Sequence, residues 1–360
     1  MQFYFEIFAA AFLLSAAGAL LVKRLALRLG VVDLPATGRK VHQVAVPLLG
    51  GTAIFFAFFI GLFLVQNKLL AGNLAAHHWI GFFIGACILM LGGFLDDKYN
   101  LSPGKQIIFP VLAALAVIAG GVGIEKITNP LGGLLYLDQW KIPLLAWSGK
   151  MHYFVFISDT FVLLWLMGMM YTTKILDGLD GLVTGVTAIG AFIIFLFTMT
   201  TKYYQPDVGL AALILSAACL GFLILNWHPA KIFLGEGGSL FLGYALGVLA
   251  IISGGKIAIA LLILGIPILD VAWAIIRRIK AGKNPFRFSD RLHLHYRLFD
   301  SGLGQRKTVL IYYFLSAAFG LSALFLQSQG KVLALGILFL LMLVIVVIFN
   351  RNGKKSDIGE

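Results

Sequence analysis

Eleven apolar runs of roughly 17 or more residues, near 3–22, 48–66, 78–95, 106–123, 154–172, 182–200, 209–225, 239–254, 257–276, 308–327 and 332–349, take up most of this chain. That is the length a helix needs to cross the hydrocarbon of a bilayer, where each segment must satisfy its own backbone N–H and C=O groups. The pattern predicts an all-α, polytopic membrane protein with about eleven transmembrane helices. The connections leave no residues for a separate soluble domain, so 1–350 reads as one integral membrane domain and 351–360 as a disordered tail. Composition excludes a soluble fold independently, since 60% of the 360 residues are hydrophobic and only 12% are charged. The first run lacks a basic leader and a small-residue cleavage site, and is expected to be a retained span rather than a removed signal peptide.

The net charge of +12 could point to a nucleic acid, but its distribution argues otherwise. With the N-terminus placed outside, 21 of the 28 Lys and Arg residues fall on connections of the inner side and in the tail. This is the bias that orients membrane proteins, and it needs no polyanionic partner. The C-terminus is then cytosolic. Cys87 and Cys219 lie inside apolar runs and read as small core residues.

The inner connections also hold the chemistry-bearing residues. In Gly92–Lys105, GGFLDDKYNLSPGK, an apolar run ends in adjacent Asp96 and Asp97, followed by Lys105. Neighbouring side chains project about 100° apart on a helix, so two carboxylates can share one site only at a helix end. A solvated helix end is the plain alternative. Between Pro35 and Pro47, Arg39, Lys40 and His42 could grip an anion ahead of a Gly-Gly helix start. In YTTKILDGLDGLVTG, Asp177 and Asp180 stand three apart, each followed by glycine, with Lys174 beside them. That spacing puts both on one helical face, although two Asp-Gly pairs can also be simple turns.

In NWHPAKIFLGEGGSLFLG, Asn226, His228, Lys231 and Glu236 precede a glycine-rich helix start. A carboxylate there suits Mg²⁺, which takes one or two carboxylates together with substrate phosphates. Phe233 is placed either to stack on a base or to pack at the interface. The segment Arg277–Lys307 is the most polar, with nine cations and Asp290, Arg291, His293, His295 and Arg297 within eight residues. It reads as an arm over an anionic ligand, while His293 and His295, two apart, cannot share a helical face as a zinc pair. Asp159 and Asp270 lie within apolar runs, where packing or a water-linked role explains the first, and an ion pair with Arg277 or Arg278, or snorkelling of those arginines toward the interface, explains the second.

Carboxylates and cations converging on one membrane face suit a reaction between a soluble polyanion and a lipid-borne anion, with Mg²⁺, or Mn²⁺ in its stead, neutralising phosphates. A transporter or flippase, the competing class, would hold its ionisable residues near mid-bilayer in broken helices.

Together DDKYNLSPGK, LDGLDGL, NWHPAKIFLGEGGS, GRKVHQVAVPLLGG and DRLHLHY resemble, in order, the motifs of the polyprenyl-phosphate N-acetylhexosamine-1-phosphate transferases, from about Asp33 to Arg297. The Arg-Lys-x-His loop and the DRxHxH loop are similar to the WecA-type branch, which passes GlcNAc-1-phosphate from a UDP-sugar to undecaprenyl phosphate. The resemblance implies an enzyme of the cytoplasmic (inner) membrane, working on the lipid bilayer with a UDP-sugar, and leaves room for a homodimer. It implies that Asp96 and Asp97 position or deprotonate the lipid phosphate near Mg²⁺ and that Asp177 and Asp180 line the nucleotide and catalytic pocket. Phe233 would stack on uracil beside Asn226 and Lys231, and Lys105 would stand in the cleft. Arg39, Lys40, His42, Arg291, His293 and His295 would hold the phosphates and the sugar. Glu236, with Asp97, would hold the metal. Three positions differ from the usual pattern: Glu236 stands for Asp, Lys174 for Asn and Tyr296 for His. Within the enzyme reading, the other donors are UDP-MurNAc-pentapeptide and UDP-GalNAc; an inactive scaffold is the remaining alternative.

Overall fold

The computed structural model describes residues 1–35, 44–129, 133–147, 150–200, 204–254, 257–282 and 292–356. Each of the eleven apolar runs forms helix. In chain order the elements are α1 (Gln2–Leu29), the short strands β1 (Val32–Asp33) and β2 (Val46–Pro47), α2 (Gly51–Leu64), α3 (Gln66–Leu69), α4 (Ala76–Tyr99), α5 (Pro103–Gln106) and α6 (Ile108–Ala119). Strands β3 (Lys126–Thr128), β4 (Leu134–Tyr136), β5 (Lys141–Trp147) and β6 (Lys150–Val155) come next. The rest is α7 (Phe156–Leu176), α8 (Leu182–Thr198), α9 (Pro206–Asn226), α10 (Gly235–Ile252), α11 (Ile257–Ile263), α12 (Gly265–Lys280), α13 (Leu294–Leu298), a π-helical turn Phe299–Leu303, α14 (Gly304–Phe325) and α15 (Ser328–Ser356).

By length and apolarity six helical segments can cross a membrane: α1, α4, α7, α9, α10 and the continuous stretch Leu294–Phe325. The pair α11 and α12, bent by 79° where Pro267 has no N–H for the ladder, makes a seventh. The chain is a multi-pass membrane protein. Sequence signals explain the boundaries. Gly30 closes α1 in the left-handed region, its N–H returning to Ala26 and Leu27, and α9 opens on Pro206, where a missing N–H costs nothing.

Helix α10 is apolar on every side and nearly all its residues are buried, which makes it the axis of the bundle. It packs against α7, α4, α2 and α8, while α9 bridges α8 and α1. Small residues set the closest approaches. A Cβ on Gly51 would lie 2.0 Å from Gly238 Cα, and one on Gly93 would lie 2.1 Å from Gly237 Cα. Only backbone fits between α2 and α10, or between α4 and α10, at those two crossings.

The all-helical expectation misses three two-stranded antiparallel ladders. The long segment after α6 folds as two hairpins, β3 with β4 and β5 with β6, and β1 pairs β2. Backbone outside the helices must find partners, and short ladders supply them. Helix α15 continues to Ser356, into the stretch read as a tail, and residues 357–360 lie outside the described residues. Asp159 is buried near the start of α7, where its Oδ2 accepts the Val155 N–H at 2.8 Å. An acidic side chain there satisfies an end-of-helix donor and meets the positive end of the helix dipole.

Candidate active site

The site lies where α4 and α7 end and α10 begins. Gly235, at φ 74°, turns the chain into α10 so that the Glu236 N–H points at Asp97, whose Oδ1 and Oδ2 lie 3.0 and 3.2 Å from that nitrogen. A Cβ on Gly235 would come within 2.5 Å of Asp97 Oδ2, so glycine is required on conformational and steric grounds alike. Asp97 thus serves as the anionic cap of α10. Its neighbour Asp96 does other work: Oδ1 accepts the Leu101 N–H at 2.8 Å and the Gln106 amide at 3.0 Å, tying down the turn after α4. Adjacency in sequence therefore does not make Asp96 and Asp97 equivalent.

Gln106 also donates to the Leu101 carbonyl, which turns its Oε1 to accept from Lys174 Nζ at 3.1 Å. The same ammonium forms an ion pair with Glu236 Oε1. Asp96, Gln106, Lys174, Glu236 and Asp97 form a closed ring joining α4, α5, α7 and α10. Asp177, the C-cap of α7, completes the cluster. Its side chain is open to the cleft, yet its carboxyl is pushed up to about 8 by the atoms crowding the cleft and then by the negative charge of Glu236, Asp97 and Asp180.

The donor set fits a hard divalent cation. Glu236 Oε1 is buried against the Lys174 ammonium, and the carboxylates of Asp97 and Asp177 lie near enough for the charges of the three to act on one another. Among the described residues no three His, Cys, Asp or Glu side chains form a closed metal cage. One or two carboxylates with the remaining positions left to phosphate oxygens is the mode Mg²⁺ favours.

Asp180 makes its hydrogen bonds outside this ring. His228 Nδ1–H donates to its Oδ2 at 2.7 Å and the Ala230 N–H at 3.0 Å, so Asp180 folds the loop between α9 and α10. Arg306 clamps the loop from the other side, donating Nε and Nη2 to the His228 carbonyl. Asn226 is buried, accepting from Thr184 Oγ1 at 2.8 Å and donating to the Ile232 carbonyl at 3.0 Å. These two bonds tie α9 to α8 and to the loop before α10. Phe233 is half-buried, and its backbone pairs with Pro47 and Gly50, which places it beside the β1–β2 ladder. Lys231 and Lys105 are exposed. Arg39, Lys40, His42 and Arg291 lie outside the described residues; the ladder of Val32 with Pro47 and Asp33 with Val46 fixes the stem of the first three.

His293 and His295 are buried, with their rings stacked at 5.8 Å and 11°. Two residues two apart can face together because His293 is extended, at φ −70° and ψ 147°, and α13 starts only after it. A Cβ on Gly178 would meet Tyr296 Oη at 2.4 Å and His295 Nε2 at 2.8 Å, so this loop packs onto the Asp-Gly loop itself. Asp270 is not the partner of Arg277 or Arg278 expected from the sequence: it accepts from His293 Nδ1 at 2.9 Å and from the Leu294 N–H at 3.1 Å. The carboxylate holds the ring proton on Nδ1 and aims Nε2 away from itself. Asp270→Ala leaves two buried donors without their acceptor and is expected to lower unfolding stability in detergent by about 3 kcal/mol. Asp270→Asn, which keeps one acceptor, should lose less. Equal losses in the two variants would show that the hydrogen bonds are not what the site contributes.

Sequence reasoning missed four contributors. Gln106 adjoins Lys105 at the head of an apolar run, and Arg306 was one cation among nine. Asp33 is near enough for its charge to act on Asp97. Tyr313 donates its hydroxyl to the Gly181 carbonyl at 2.5 Å and fills the space a Cβ on Gly185 would need.

Comparison with known proteins bears on the same segments. The family model described as Glycosyl transferase family 4 matches residues 79–254, which include Asp96, Asp97, Asp177, Asp180 and Glu236. A Bacillus subtilis (strain 168) protein named "probable undecaprenyl-phosphate N-acetylglucosaminyl 1-phosphate transferase" is 34% identical over 94% of this chain and 88% of its own length. A Mycobacterium tuberculosis decaprenyl-phosphate N-acetylglucosaminephosphotransferase is 30% identical over 81% of this chain and 74% of its own length. A phospho-N-acetylmuramoyl-pentapeptide-transferase of Desulforamulus reducens is 32% identical over 80% and 85%. Identity at that level across nearly the whole length, together with a family match over the segments that build the carboxylate ring, places the chain in the polyprenyl-phosphate N-acetylhexosamine-1-phosphate transferases of glycosyl transferase family 4.

Proposed function

We propose that the protein transfers a sugar 1-phosphate, GlcNAc-1-phosphate, from a UDP-sugar to a polyprenyl phosphate such as undecaprenyl phosphate, giving polyprenyl-diphosphate-sugar and UMP. The observation that carries this reading is the cluster of Asp97, Asp177 and Glu236 at one end of the bundle, with the Lys174 ammonium on Glu236. Excess carboxylate charge at the ends of membrane helices is costly unless a cation and its phosphate ligands complete it. The names of the Bacillus and Mycobacterium relatives, a phosphate-linked N-acetylglucosaminyl group with undecaprenyl and decaprenyl phosphate respectively, support the transferred group and the class of acceptor.

In the reaction an oxygen of the lipid phosphate forms a bond to the β-phosphorus of the UDP-sugar. The bond from that phosphorus to the bridging oxygen breaks, and UMP leaves with it. One phosphoanhydride replaces another, so the step is near balance and reversible. Asp177, open to the cleft, is the group that takes the proton of the lipid phosphate or orients its attacking oxygen. Asp97 fixes where Glu236 stands, and Asp180 with Arg306 holds the wall that carries Phe233. His293, aimed by Asp270, and the basic residues Arg39, Lys40, His42, Lys105 and Arg291 hold phosphate oxygens and the sugar. Glu236 and Asp97 would hold Mg²⁺, with Mn²⁺ as a substitute, which when bound supplies positive charge against the diphosphate.

We infer further that the four shorter apolar helices, Gly51–Leu64, Pro103–Ala119, Leu182–Thr198 and Gln329–Val344, also cross the bilayer and bring the count to eleven. The N-terminus then lies outside, the site faces the cytosol, and the membrane is the cytoplasmic one.

The test is UMP release in detergent with undecaprenyl phosphate, Mg²⁺ and a panel of UDP-GlcNAc, UDP-GalNAc and UDP-MurNAc-pentapeptide. UDP-GlcNAc is expected to be the best donor. Asp97→Asn should cut its turnover by about 10²-fold or more while the protein still folds, because the variant weakens the charge that places Glu236. No UMP from any donor would remove the transferase reading.

A further inference from the structure

We propose that Lys174 is a built-in counter-ion that competes with the divalent cation for Glu236, so that the cation gains this carboxylate only by displacing the ammonium onto Gln106. The inference rests on the reading of Glu236 as a metal ligand. Its ground is geometric. Lys174 sits in the last turn of α7, and its ammonium forms an ion pair with the buried Oε1 of Glu236. Its second partner is Gln106 Oε1 at 3.1 Å.

That second partner is held in readiness. The Gln106 amide nitrogen is committed to Asp96 Oδ1 at 3.0 Å and to the Leu101 carbonyl at 2.9 Å, so the amide cannot flip without losing both. Its oxygen therefore stays turned toward Lys174 whether or not Glu236 is engaged. A lysine swings its ammonium on a flexible stem of four carbons and here has a second acceptor, Gln106 Oε1, to move to, while the Asp97 contact fixes the backbone from which Glu236 projects. The mobile member of the pair is the lysine. Both side chains are only partly exposed, at 24% and 20%, so the pair is not a solvent-screened surface contact. An ammonium and a divalent cation cannot both occupy one carboxylate oxygen, and like charges that close repel. When the ammonium withdraws, Glu236 rejoins Asp97 and Asp177 as uncompensated carboxylates, which is the state a hard cation prefers.

The consequence is a site that keeps itself partly neutral and holds its metal less tightly than its carboxylates would allow. Mn²⁺ serves as the probe, titrated into the full-length chain in detergent without substrate. The free ion is followed by its six-line paramagnetic resonance signal, and folding is followed by thermal unfolding. Lys174→Gln is expected to tighten Mn²⁺ binding about tenfold. Lys174→Arg, which keeps the charge, should stay within about twofold of the parent, and Glu236→Gln should abolish the gain in the Lys174→Gln background. Gln106→Leu, which removes the resting place of the ammonium, should weaken Mn²⁺ binding about threefold and is the informative variant should Lys174→Gln not fold. Unchanged or weaker binding in Lys174→Gln, a gain that survives Glu236→Gln, or no Mn²⁺ binding to parent and variant alike would each overturn the proposal. Because no donor or acceptor lipid is present, these outcomes are separate from UMP release: loss of the transferase reading would leave a measured Mn²⁺ shift standing.

Discussion

Asp177→Asn is expected to lower UMP release by about 10³-fold while leaving the unfolding temperature of the detergent-solubilised protein where it is. The asymmetry among the aspartates is the reason. Asp96 is spent on Leu101 and Gln106, Asp97 on the head of α10, and Asp180 on His228 and Ala230. Asp177 caps α7 with its backbone and leaves its carboxylate to the cleft. Because burial among the cleft atoms and the charges of Glu236, Asp97 and Asp180 raise its carboxyl to about 8, the base form is the minority below that pH and the majority above it. A role as proton acceptor then makes kcat/KM climb as pH rises through about 8, and Asn at the position should flatten that limb. Added divalent cation, favouring the ionised carboxylate, should draw the limb toward lower pH. A variant within tenfold of the parent, with its pH profile intact, would transfer the role to another group.

How far the sequence could be read depended on the range of the interaction. The helical bundle was legible because a run such as 209–225 must be helical in lipid whatever it packs against, and α9 occupies it. The carboxylate positions were legible because glycine and aspartate clusters interrupt those runs. Their division of labour was not. Nothing in DD tells that one carboxylate turns back to its own loop and the other crosses to Glu236, since that depends on Gly235 and on the approach of α10. The pairing of Lys174 with Glu236 joins residues on different helices, and Asp270 chose His293 over the nearer-in-sequence Arg277 and Arg278 for the same reason. The hairpins after α6 escaped notice because their strands are short and their alternation is weak against a background of apolar residues.

Gly93→Ala and Gly51→Ala are expected to be the most damaging small substitutions in the protein, each destabilising it by about 3 kcal/mol or more. The added Cβ at Gly93 would stand 2.1 Å from Gly237 Cα, and at Gly51 2.0 Å from Gly238 Cα. In both cases the obstructing atom is backbone on the central helix, so no rotamer change relieves the clash and α10 itself must move. For Gly93 the displacement also acts on the site. The Asp97 oxygens meet the Glu236 N–H at 3.0 and 3.2 Å, one turn of helix beyond that crossing, and a shift of about 1 Å breaks the contact and is enough to cost about 10²-fold in rate. Activity per folded molecule should therefore fall more in Gly93→Ala than in Gly51→Ala, whereas the losses of unfolding temperature should be comparable. Gly168→Ala in α7 is the control: no atom lies within 4 Å of its added Cβ, and replacing a mid-helix glycine there should be neutral or stabilising by up to about 1 kcal/mol. If Gly93→Ala unfolds and turns over like Gly168→Ala, α4 and α10 do not touch through their backbones, and the geometry that sets Asp97 against Glu236 has another origin.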